Sequence, residues 1–313
     1  MQLPVRWRYK IDRWRNQISS LFHRQPAVAR PRLCPACGTL VGSSSGRCHQ
    51  CGASLTFSLA AASRSLGKVL PQTSPVTYGI LGLCCFLYGV SLLITIKRSG
   101  FAAPSGGLGA LFGLGGINGL VLARMGSSSS YFDLAQPWRL ITAIFLHGSL
   151  LHLGFNMWVL MDLGPIIEEL YGSARFLFVF IVTGVCGYIL SFLTGHPNSV
   201  GASGSLLGLI GLLLALTWGR QSIAMRTLRS QLLYWLVYIA VIGFVMQGAI
   251  DNYAHIGGFA AGFLLGKIMA DRQPADVVER RRAYALGWTT GFVVLTSFAL
   301  MLVNYFSSSI GLG

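Results

Sequence analysis

Acidic residues are scarce in this 313-residue sequence, in which 9 Asp and Glu stand against 24 Lys and Arg and only 11% of the residues are charged. So few charges exclude an ordinary soluble globular protein, in which about a quarter of the residues are charged. They also exclude a nucleic-acid-binding protein with Lys and Arg spread over its surface. The 12% aromatic content excludes a disordered chain. Because 53% of the residues are hydrophobic, the composition indicates a multi-pass membrane protein with a few strongly basic cytoplasmic stretches.

Neither a disulfide framework nor a cleavable signal peptide is expected from the sequence. Of the 7 cysteines, three lie in apolar runs and four form two Cys-x-x-Cys pairs in a polar segment. The three in apolar runs, Cys84, Cys85 and Cys186, are expected to be packing residues. Residues 1–33 are basic and contain no long apolar stretch, so we expect no cleavable leader.

Apolar runs long enough to cross a bilayer recur seven times and predict an all-α membrane protein. The runs cover residues 77–96, 149–170, 174–194, 203–219, 231–250, 253–270 and 284–306. The segment between the first two, 97–148, is unusually long for a loop but too apolar to be disordered. We therefore expect it to be partly structured and to lie at the membrane surface.

The distribution of Lys and Arg predicts the direction of every span. With the N-terminus in the cytoplasm, the cytoplasmic segments hold 20 of these residues and the opposite segments hold 4. Positive charge accumulates on the cytoplasmic side of membrane proteins. The sequence thus predicts a cytoplasmic N-terminus, an outside C-terminus and, as the location, a bacterial cytoplasmic membrane.

The predicted organisation along the chain has six parts. A basic cytoplasmic segment, a cysteine module and a linker precede a six-helix membrane domain, which is followed by a basic cytoplasmic loop and a seventh membrane helix. Their predicted boundaries are 1–33, 34–52, 53–76, 77–270, 271–283 and 284–306.

The cysteine module has the ligand spacing of a metal site. Cys34 and Cys37 form one pair in CPACG, and Cys48 and Cys51 form the other in CHQCG. A cytoplasmic compartment keeps thiols reduced, and four thiolates suit tetrahedral Zn²⁺ better than they suit a redox pair. The glycine after each pair permits the left-handed backbone that closes such a turn. We therefore predict a small zinc ribbon, stabilised by a structural zinc ion because it is too small for a core.

Polar residues inside membrane spans are costly, so those near the outer ends of spans are candidate site residues. The second span begins with His152 and Asn156, the fourth with Ser203 and the sixth with His255. All three spans run inward from the outer face, and the predicted topology therefore puts these side chains at a similar depth. His152 and Asn156 are four residues apart and project from one helical face.

Small residues predict which spans touch. Glycines recur at four-residue spacing in the sixth span and cluster at the start of the fourth: Gly258, Gly262, Gly266, Gly201, Gly204 and Gly208. Close packing of these spans brings His255 within hydrogen-bond reach of Ser203. A hydroxyl becomes a nucleophile when a neighbouring base accepts its proton. Asn156, His152 and the backbone N–H of Ser203 can then donate hydrogen bonds to the oxyanion of an acyl-transfer intermediate.

Each of these residues has an ordinary explanation when taken alone. Ser203 in a Gly-Ala-Ser-Gly run is typical of helix packing, and His255 among glycines is typical of an interhelical hydrogen bond. His152 and Asn156 are common polar residues for the start of a span. Their occurrence together at one depth, beside the glycines, favours a catalytic site. Ser205 is assigned to packing, because it stands where a soluble hydrolase's nucleophile elbow has its last glycine.

These residues resemble the rhomboid family of intramembrane serine proteases. The resemblance covers about 136–270 and rests on Trp138 with Arg139, on FLHGSLLHLGFNM, on GASG and on AHIGGFAAG. It implies a bundle of six helices plus a C-terminal seventh, with a first loop half-immersed in the outer leaflet. It also implies a Ser203–His255 dyad that needs no third carboxylate and no cofactor for catalysis, with His152 and Asn156 at the oxyanion. Structural roles fall on Trp138, Arg139, Glu168, Gly201, Gly258 and Gly262.

The sequence departs from the family pattern at Leu207, where an aromatic residue that packs on the histidine is common. The orientation of His255 is then expected to depend on other contacts. Asp251, four residues before His255, is predicted to cap the sixth span. Asp162 lies about 15 Å along the helix from His152, near the middle of the bilayer, and receives no role from the sequence.

The sequence therefore predicts an intramembrane serine endopeptidase that cleaves transmembrane or juxtamembrane segments of other membrane proteins within the lipid bilayer. The alternative is an inactive relative that binds membrane clients, and the presence of both dyad residues favours the enzyme. A transporter is disfavoured because the inner halves of the third to seventh spans are apolar. A protein partner is one candidate for the zinc ribbon, whereas nucleic acid is not expected as a partner.

Overall fold

The protein consists of two compact units, Met1–Ser58 and Leu59–Gly313. The computed structural model describes residues 32–34, 38–42, 45–52, 54–55, 73–99, 115–196, 198–245, 250–269 and 271–307. Most of the predicted basic N-terminal segment and of the linker lies outside the described residues, as do residues 100–114 of the long first loop.

The described part of the first unit is a short hairpin with a very small core. Strand β1 (Arg32–Leu33) pairs antiparallel with β2 (Leu40–Val41), and Leu33 lies opposite Leu40. The buried side chains are those of Cys34, Val41, Cys48 and Leu55, with Cys51 packed against them. So small a core does not stabilise a fold by hydrophobic burial alone, and protein units of this size need a disulfide or a metal.

The described part of the second unit contains nine helices. They are α1 (Pro75–Ser99), α2 (Gly119–Arg124), α3 (Arg139–Phe145), α4 (Leu150–Tyr171), α5 (Ser173–Leu193), α6 (Ser203–Thr217), α7 (Ile223–Val245), α8 (Asn252–Ile268) and α9 (Val277–Ser307). In the described part of the chain, each of the seven predicted apolar runs lies mostly within a helix. The short helices α2 and α3 lie within segment 97–148, which is partly structured, as the sequence predicts.

The fold is that of an all-α multi-pass membrane protein. Five helices, α1, α4, α5, α7 and α9, are long and apolar enough to cross a membrane. Helix α6 is apolar but only 15 residues long, and every residue from Gly204 to Thr217 in it is buried. Because other helices surround α6, it does not have to reach lipid or either membrane surface along its own length.

Two helices begin earlier than the apolar runs that predict them. Helix α7 begins at Ile223 and not at 231, and α9 begins at Val277 and not at 284. The predicted basic loop 271–283 is therefore a loop only in its first half. The backbone N–H of Glu279 donates to the Asp276 carboxylate at 2.7 Å, which caps the start of α9. Hydropathy missed these turns because a helix continues into the polar layer, where its residues are no longer apolar.

Helix α6 lies at the centre of the bundle and organises the other helices. It packs against α8 most extensively and also against α3, α4, α5 and α7. Helix α8 is in turn packed between α6 and α5. This arrangement brings the first turns of α6 and α8 side by side at one end of the bundle.

Candidate active site

A serine and a histidine from different helices meet where α6 and α8 begin. Ser203 is the first residue of α6, and His255 lies in the first turn of α8. The distance between Ser203 Oγ and His255 Nε2 is 2.8 Å, a direct hydrogen bond. Both side chains are partly exposed. The pair can therefore exchange a proton and remains accessible to a reacting group.

Glycine-to-backbone contacts between α6 and α8 create this proximity. A Cβ atom added at Gly258 would overlap the Gly204 carbonyl, and one added at Gly262 would overlap the Gly208 carbonyl. The two backbones therefore touch with no side chain between them, as small residues allow in membrane helices. A methyl group added at either glycine would push the two helices apart and move His255 away from Ser203.

The start of α8 is fixed by Asp251. Its carboxylate accepts a hydrogen bond from the backbone N–H of Ala254 at 3.0 Å, which confirms the predicted helix cap. The second carboxylate oxygen accepts a short hydrogen bond from the Ser191 hydroxyl of α5. Both oxygens are thus engaged in anchoring α8. The Ser191 contact was not predicted from the sequence, because the residue spacing of one helix does not reveal which residue of another helix faces it.

His152 and Asn156 lie on α4, beside the turn that precedes Ser203. The His152 Nε2 atom lies against Gly201, where an added Cβ would come within 2.6 Å of it. Gly201 has a φ of +121°, a conformation available to glycine and rarely to other residues. Asn156 is 1% exposed, and its Nδ2 atom donates to the His152 carbonyl oxygen at 2.8 Å. The structure thus brings all four sequence-predicted polar residues to one end of the bundle.

Tyr188 on α5 holds the turn around Gly201 in place. Its hydroxyl donates to the Gly201 carbonyl oxygen at 2.8 Å, while the Gly201 N–H donates to the Ala143 carbonyl oxygen at 2.9 Å. Sequence reasoning missed Tyr188. The one available signal was a hydroxyl in an otherwise apolar span, which needs a partner in a membrane.

Trp138 and Arg139 organise the first loop. The buried Arg139 guanidinium donates from Nη1 to the carbonyl oxygens of Ala123 at 2.6 Å and Ser127 at 3.1 Å. The Trp138 ring packs against Gly126, where an added Cβ would come within 2.6 Å of it. The backbone from Ala123 to Ser127 is thereby tied to the start of α3. These contacts are structural, and neither residue contacts the Ser203–His255 pair in the described part of the chain.

Glu168 joins three helices at the opposite end of the bundle. Its buried carboxylate accepts hydrogen bonds from the backbone N–H groups of Val76 at 3.0 Å and Thr77 at 2.8 Å, and from the Ser173 hydroxyl at 2.6 Å. Acceptors of this kind satisfy the first N–H groups of α1.

In the segment that follows α8, outside the membrane spans, a hydrogen bond from Arg220 lowers the pKa of the Asp271 carboxyl group.

Ser205, two residues beyond Ser203, lies on the opposite face of α6, whereas Leu207, four residues beyond Ser203, lies on the same face as Ser203. Both are buried on α6. The Ser205 Oγ atom lies where an added Cβ at Gly184 of α5 would overlap it, so Ser205 is a packing residue of the α5–α6 contact.

The cysteine module forms a separate cluster in the first unit. The sulfur atoms of Cys34, Cys48 and Cys51 all lie within 4.8 Å of one another, and Cys37 lies outside the described residues. Gly38 and Gly52 have φ values of +76° and +67°, as predicted for the residue after each pair. Their N–H groups donate to the carbonyl oxygens of Cys34 and Cys48, both at 2.9 Å. The two turns are therefore alike, and the sulfur spacing fits a tetrahedral zinc ion.

The part of the chain that contains this site is similar to known proteins. Residues 134–272 match the Rhomboid domain family. The chain is 35% identical over 150 residues to the Rhomboid protease GluP of Bacillus subtilis (strain 168), a match over 48% of this chain and 29% of that protein. It is 32% identical over 186 residues to RHOMBOID-like protein 4 of Arabidopsis thaliana, over 55% of this chain and 47% of that protein.

A third relative, Rhomboid-like protease 1 of Toxoplasma gondii, is 33% identical over 138 residues, which cover 42% of this chain and 47% of that protein. The matches thus span less than half the length of each of these three relatives. The rhomboid domain match at residues 134–272 includes the helices that carry His152, Ser203 and His255. Residues 134–272, which carry this site, therefore form a rhomboid domain.

Proposed function

We propose that this protein is an intramembrane serine endopeptidase that cleaves transmembrane or juxtamembrane segments of other membrane proteins. The observation that carries the proposal is the 2.8 Å hydrogen bond between Ser203 and His255 at the mouth of a membrane bundle. Two of the relatives described above are named as rhomboid proteases, which supports a protease at the level of the family.

In the proposed reaction, the Ser203 oxygen attacks the carbonyl carbon of the scissile peptide bond while His255 Nε2 accepts the hydroxyl proton. The tetrahedral intermediate then collapses, the C–N bond breaks, and His255 returns the proton to the departing amine. A water molecule attacks the resulting Ser203 ester, again with His255 as the base, and releases the acid product. No cofactor takes part in these steps.

His152, Asn156 and the Ser203 backbone N–H are the proposed donors to the oxyanion. An amide nitrogen carries two protons, and the Nδ2 atom of Asn156 uses one on the His152 carbonyl at 2.8 Å. The second proton is therefore available to a substrate oxygen. The close contact of His152 with Gly201 holds the imidazole beside the serine turn. Donors fixed in advance in this way stabilise the developing charge without reorganisation.

A fluorophosphonate probe tests whether Ser203 is an activated nucleophile. Such a probe reacts with serine hydroxyl groups that a neighbouring base activates by accepting their proton. We expect the wild-type protein to be labelled at Ser203, the His255→Ala variant to lose labelling, and the Ser205→Ala variant to keep it. Mass spectrometry of the labelled peptide identifies the site. Equal labelling of wild type and His255→Ala would contradict the dyad, and a wild-type protein that is not labelled would favour the inactive, client-binding alternative.

We also propose that the first unit binds one structural zinc ion through Cys34, Cys37, Cys48 and Cys51. The three described sulfur atoms and the two matching turns support this assignment. The ion would supply folding free energy that the small core lacks. A protein partner for this unit is part of the proposal, since no residue in it belongs to the dyad.

Metal analysis of the purified full-length protein tests the zinc site. We expect about one zinc ion per chain in the wild type and a clear loss of zinc in Cys48→Ser. The control is Cys85→Ser, which changes an exposed cysteine on α1. Zinc content that is the same in both variants would exclude the four-cysteine site.

For topology, we propose that the chain lies in a bacterial cytoplasmic membrane with its N-terminus inside and its C-terminus outside. The excess of 20 Lys and Arg over 4 between the two sets of segments supports this direction. The proposed domains are those predicted from the sequence, with 34–52 as the zinc ribbon and 77–270 as the six-helix domain. In this orientation Ser203 and His255 lie near the outer face, where water is available for hydrolysis of the ester.

A further inference from the structure

Helix α7 is the least enclosed of the described helices around α6. Its close packing is against α6, and its buried residues are Leu232, Ile239 and Gly243. The contacts between α7 and α4 are made by side chains. The rings of Trp158 on α4 and Trp235 on α7 are 5.1 Å apart at their centroids. Ring edges of this kind separate more readily than interlocked backbones, so the α4–α7 seam is held less tightly than the α6–α8 contact.

An open groove lies along this seam. It has a volume of about 420 Å³ and is lined by Trp158, Gln231, Tyr234, Trp235 and Tyr238. Four of these five residues are aromatic, and Tyr234 is 76% exposed. A large exposed aromatic surface next to a hydrogen-bonding side chain is typical of a binding site for a partly apolar segment.

Asp162 on α4 lies beside the groove. Its Oδ2 atom accepts hydrogen bonds from Gln231 Nε2 and Trp235 Nε1, both at 3.2 Å. Both donors are neutral, and no Lys or Arg in the described ranges lies within 4.0 Å of this carboxylate. A carboxylate within a membrane span is costly when no cation compensates it, and such residues mark functional sites.

We propose that Asp162 is a specificity-determining residue that binds a lysine or arginine carried by the membrane segment of the substrate. In this proposal, which rests on the proteolytic function proposed above, the substrate cation replaces Gln231 and Trp235 as the donor to the carboxylate. The aromatic groove contacts the apolar part of the same segment. Charge complementarity selects this occupant, because only a cation offsets the cost of the carboxylate.

The position of the cation follows from the geometry of α4. Asp162 lies ten residues beyond His152, which contacts the turn before Ser203, so the carboxylate is about 15 Å deeper along the helix. A helical substrate spans that distance in about ten residues, and one unwound for about three residues at the cleavage site spans it in about six. The preferred lysine is therefore about six to ten residues from the scissile bond, on its inner side.

The test is a scan of single lysines along an otherwise all-leucine membrane reporter, placed 4 to 12 residues from the cleaved bond, about two residues beyond each end of the expected window. With wild-type protein we expect kcat/KM at one position in the window to exceed the leucine value by about tenfold, as for a close charge pair. Asp162→Asn keeps an oxygen acceptor for Gln231 and Trp235 and should cleave the leucine reporter normally while losing the lysine preference. Asp162→Lys should favour glutamate at that position instead. The matched control is Glu169→Gln, an exposed acid on α4, which should retain the preference for lysine.

A lysine profile that is the same in wild type and Asp162→Asn would overturn the proposal, as would a uniform effect of Asp162→Asn on every reporter. Crosslinking separates this outcome from failure of the proteolytic function. A photoreactive residue beside the preferred lysine is used to capture the Ser203→Ala protein, which needs no activity. Higher capture of the lysine reporter than of the leucine reporter, lost in Asp162→Asn, supports the site even if no reporter is cleaved. Equal capture excludes it.

Discussion

Replacing Ser203 by alanine is expected to reduce cleavage of a membrane-spanning reporter by about 10⁴-fold or more, the scale of loss seen when a serine nucleophile is removed. The reason is structural: Ser203 carries the hydroxyl that is hydrogen-bonded to His255, at 2.8 Å. Alanine leaves the histidine with no oxygen to activate. The measurement is the initial rate of reporter cleavage by purified protein in lipid vesicles, so that both membrane segments share one bilayer.

Ser205→Ala is the matched control for this loss. Ser205 is two residues along the same helix and 1% exposed, and it packs against α5 instead of lining the site. Its replacement is expected to leave cleavage within about threefold of the wild-type rate, because the hydroxyl accounts for little packing volume. Cleavage by Ser203→Ala at the wild-type rate would remove Ser203 from the mechanism. A loss in both variants would point to damage to α6 and not to the chemistry.

Gly262→Ala is expected to cause the largest loss of stability among single-methyl changes in the bundle, about 3 kcal/mol or more. An added Cβ at this position would overlap the Gly208 carbonyl of α6, which belongs to the backbone and cannot rotate away as a side chain does. The helices must move apart, and His255 then moves away from Ser203. Reporter cleavage should fall together with the midpoint of thermal unfolding in detergent.

The control for this variant is Gly291→Ala on α9, where an added Cβ meets nothing within 4 Å. Alanine is favoured over glycine in a helix by up to about 1 kcal/mol, so this variant should be unchanged or slightly more stable. Equal unfolding temperatures for the two variants would show that the α6–α8 contact is looser than the described distances require. A Gly262→Ala protein that is destabilised but cleaves at full rate would show that the dyad does not depend on this contact.

The seven long apolar helices followed from the sequence because apolar composition and span length act locally. Each predicted run lies mostly within a described helix, and the two short helices of the long first loop fit a partly structured segment. The residues at which α7 and α9 begin were not predicted from the sequence, since their first turns are helical although they contain polar residues. Hydropathy measures how favourably a residue transfers into lipid. Helix formation depends on backbone hydrogen bonds, which a helix keeps where it extends from the lipid into water.

The candidate site divides in the same way. The distribution of Lys and Arg was enough to predict the direction of the spans and so one depth for the four polar residues, and the glycines beside Ser203 and His255 predicted that their two helices touch. The contacts of Tyr188, Ser191 and Asp162 join residues that are 13, 60 and up to 73 positions apart in the chain. No local pattern encodes such partners, because they depend on how helices rotate against each other.

What the sequence alone determined is a membrane protein of α-helices with a rhomboid-like set of polar residues and a four-cysteine module. It did so because scarce acidic residues, apolar length and residue spacing are properties of the chain itself. The glycines predicted that α6 and α8 touch, but only the tertiary structure decided that α6 is enclosed and that Ser203 and His255 are 2.8 Å apart. It also decided that Asp162 faces an open seam with neutral partners. Distances between helices are set by packing, which is a property of surfaces that meet and not of either sequence segment by itself.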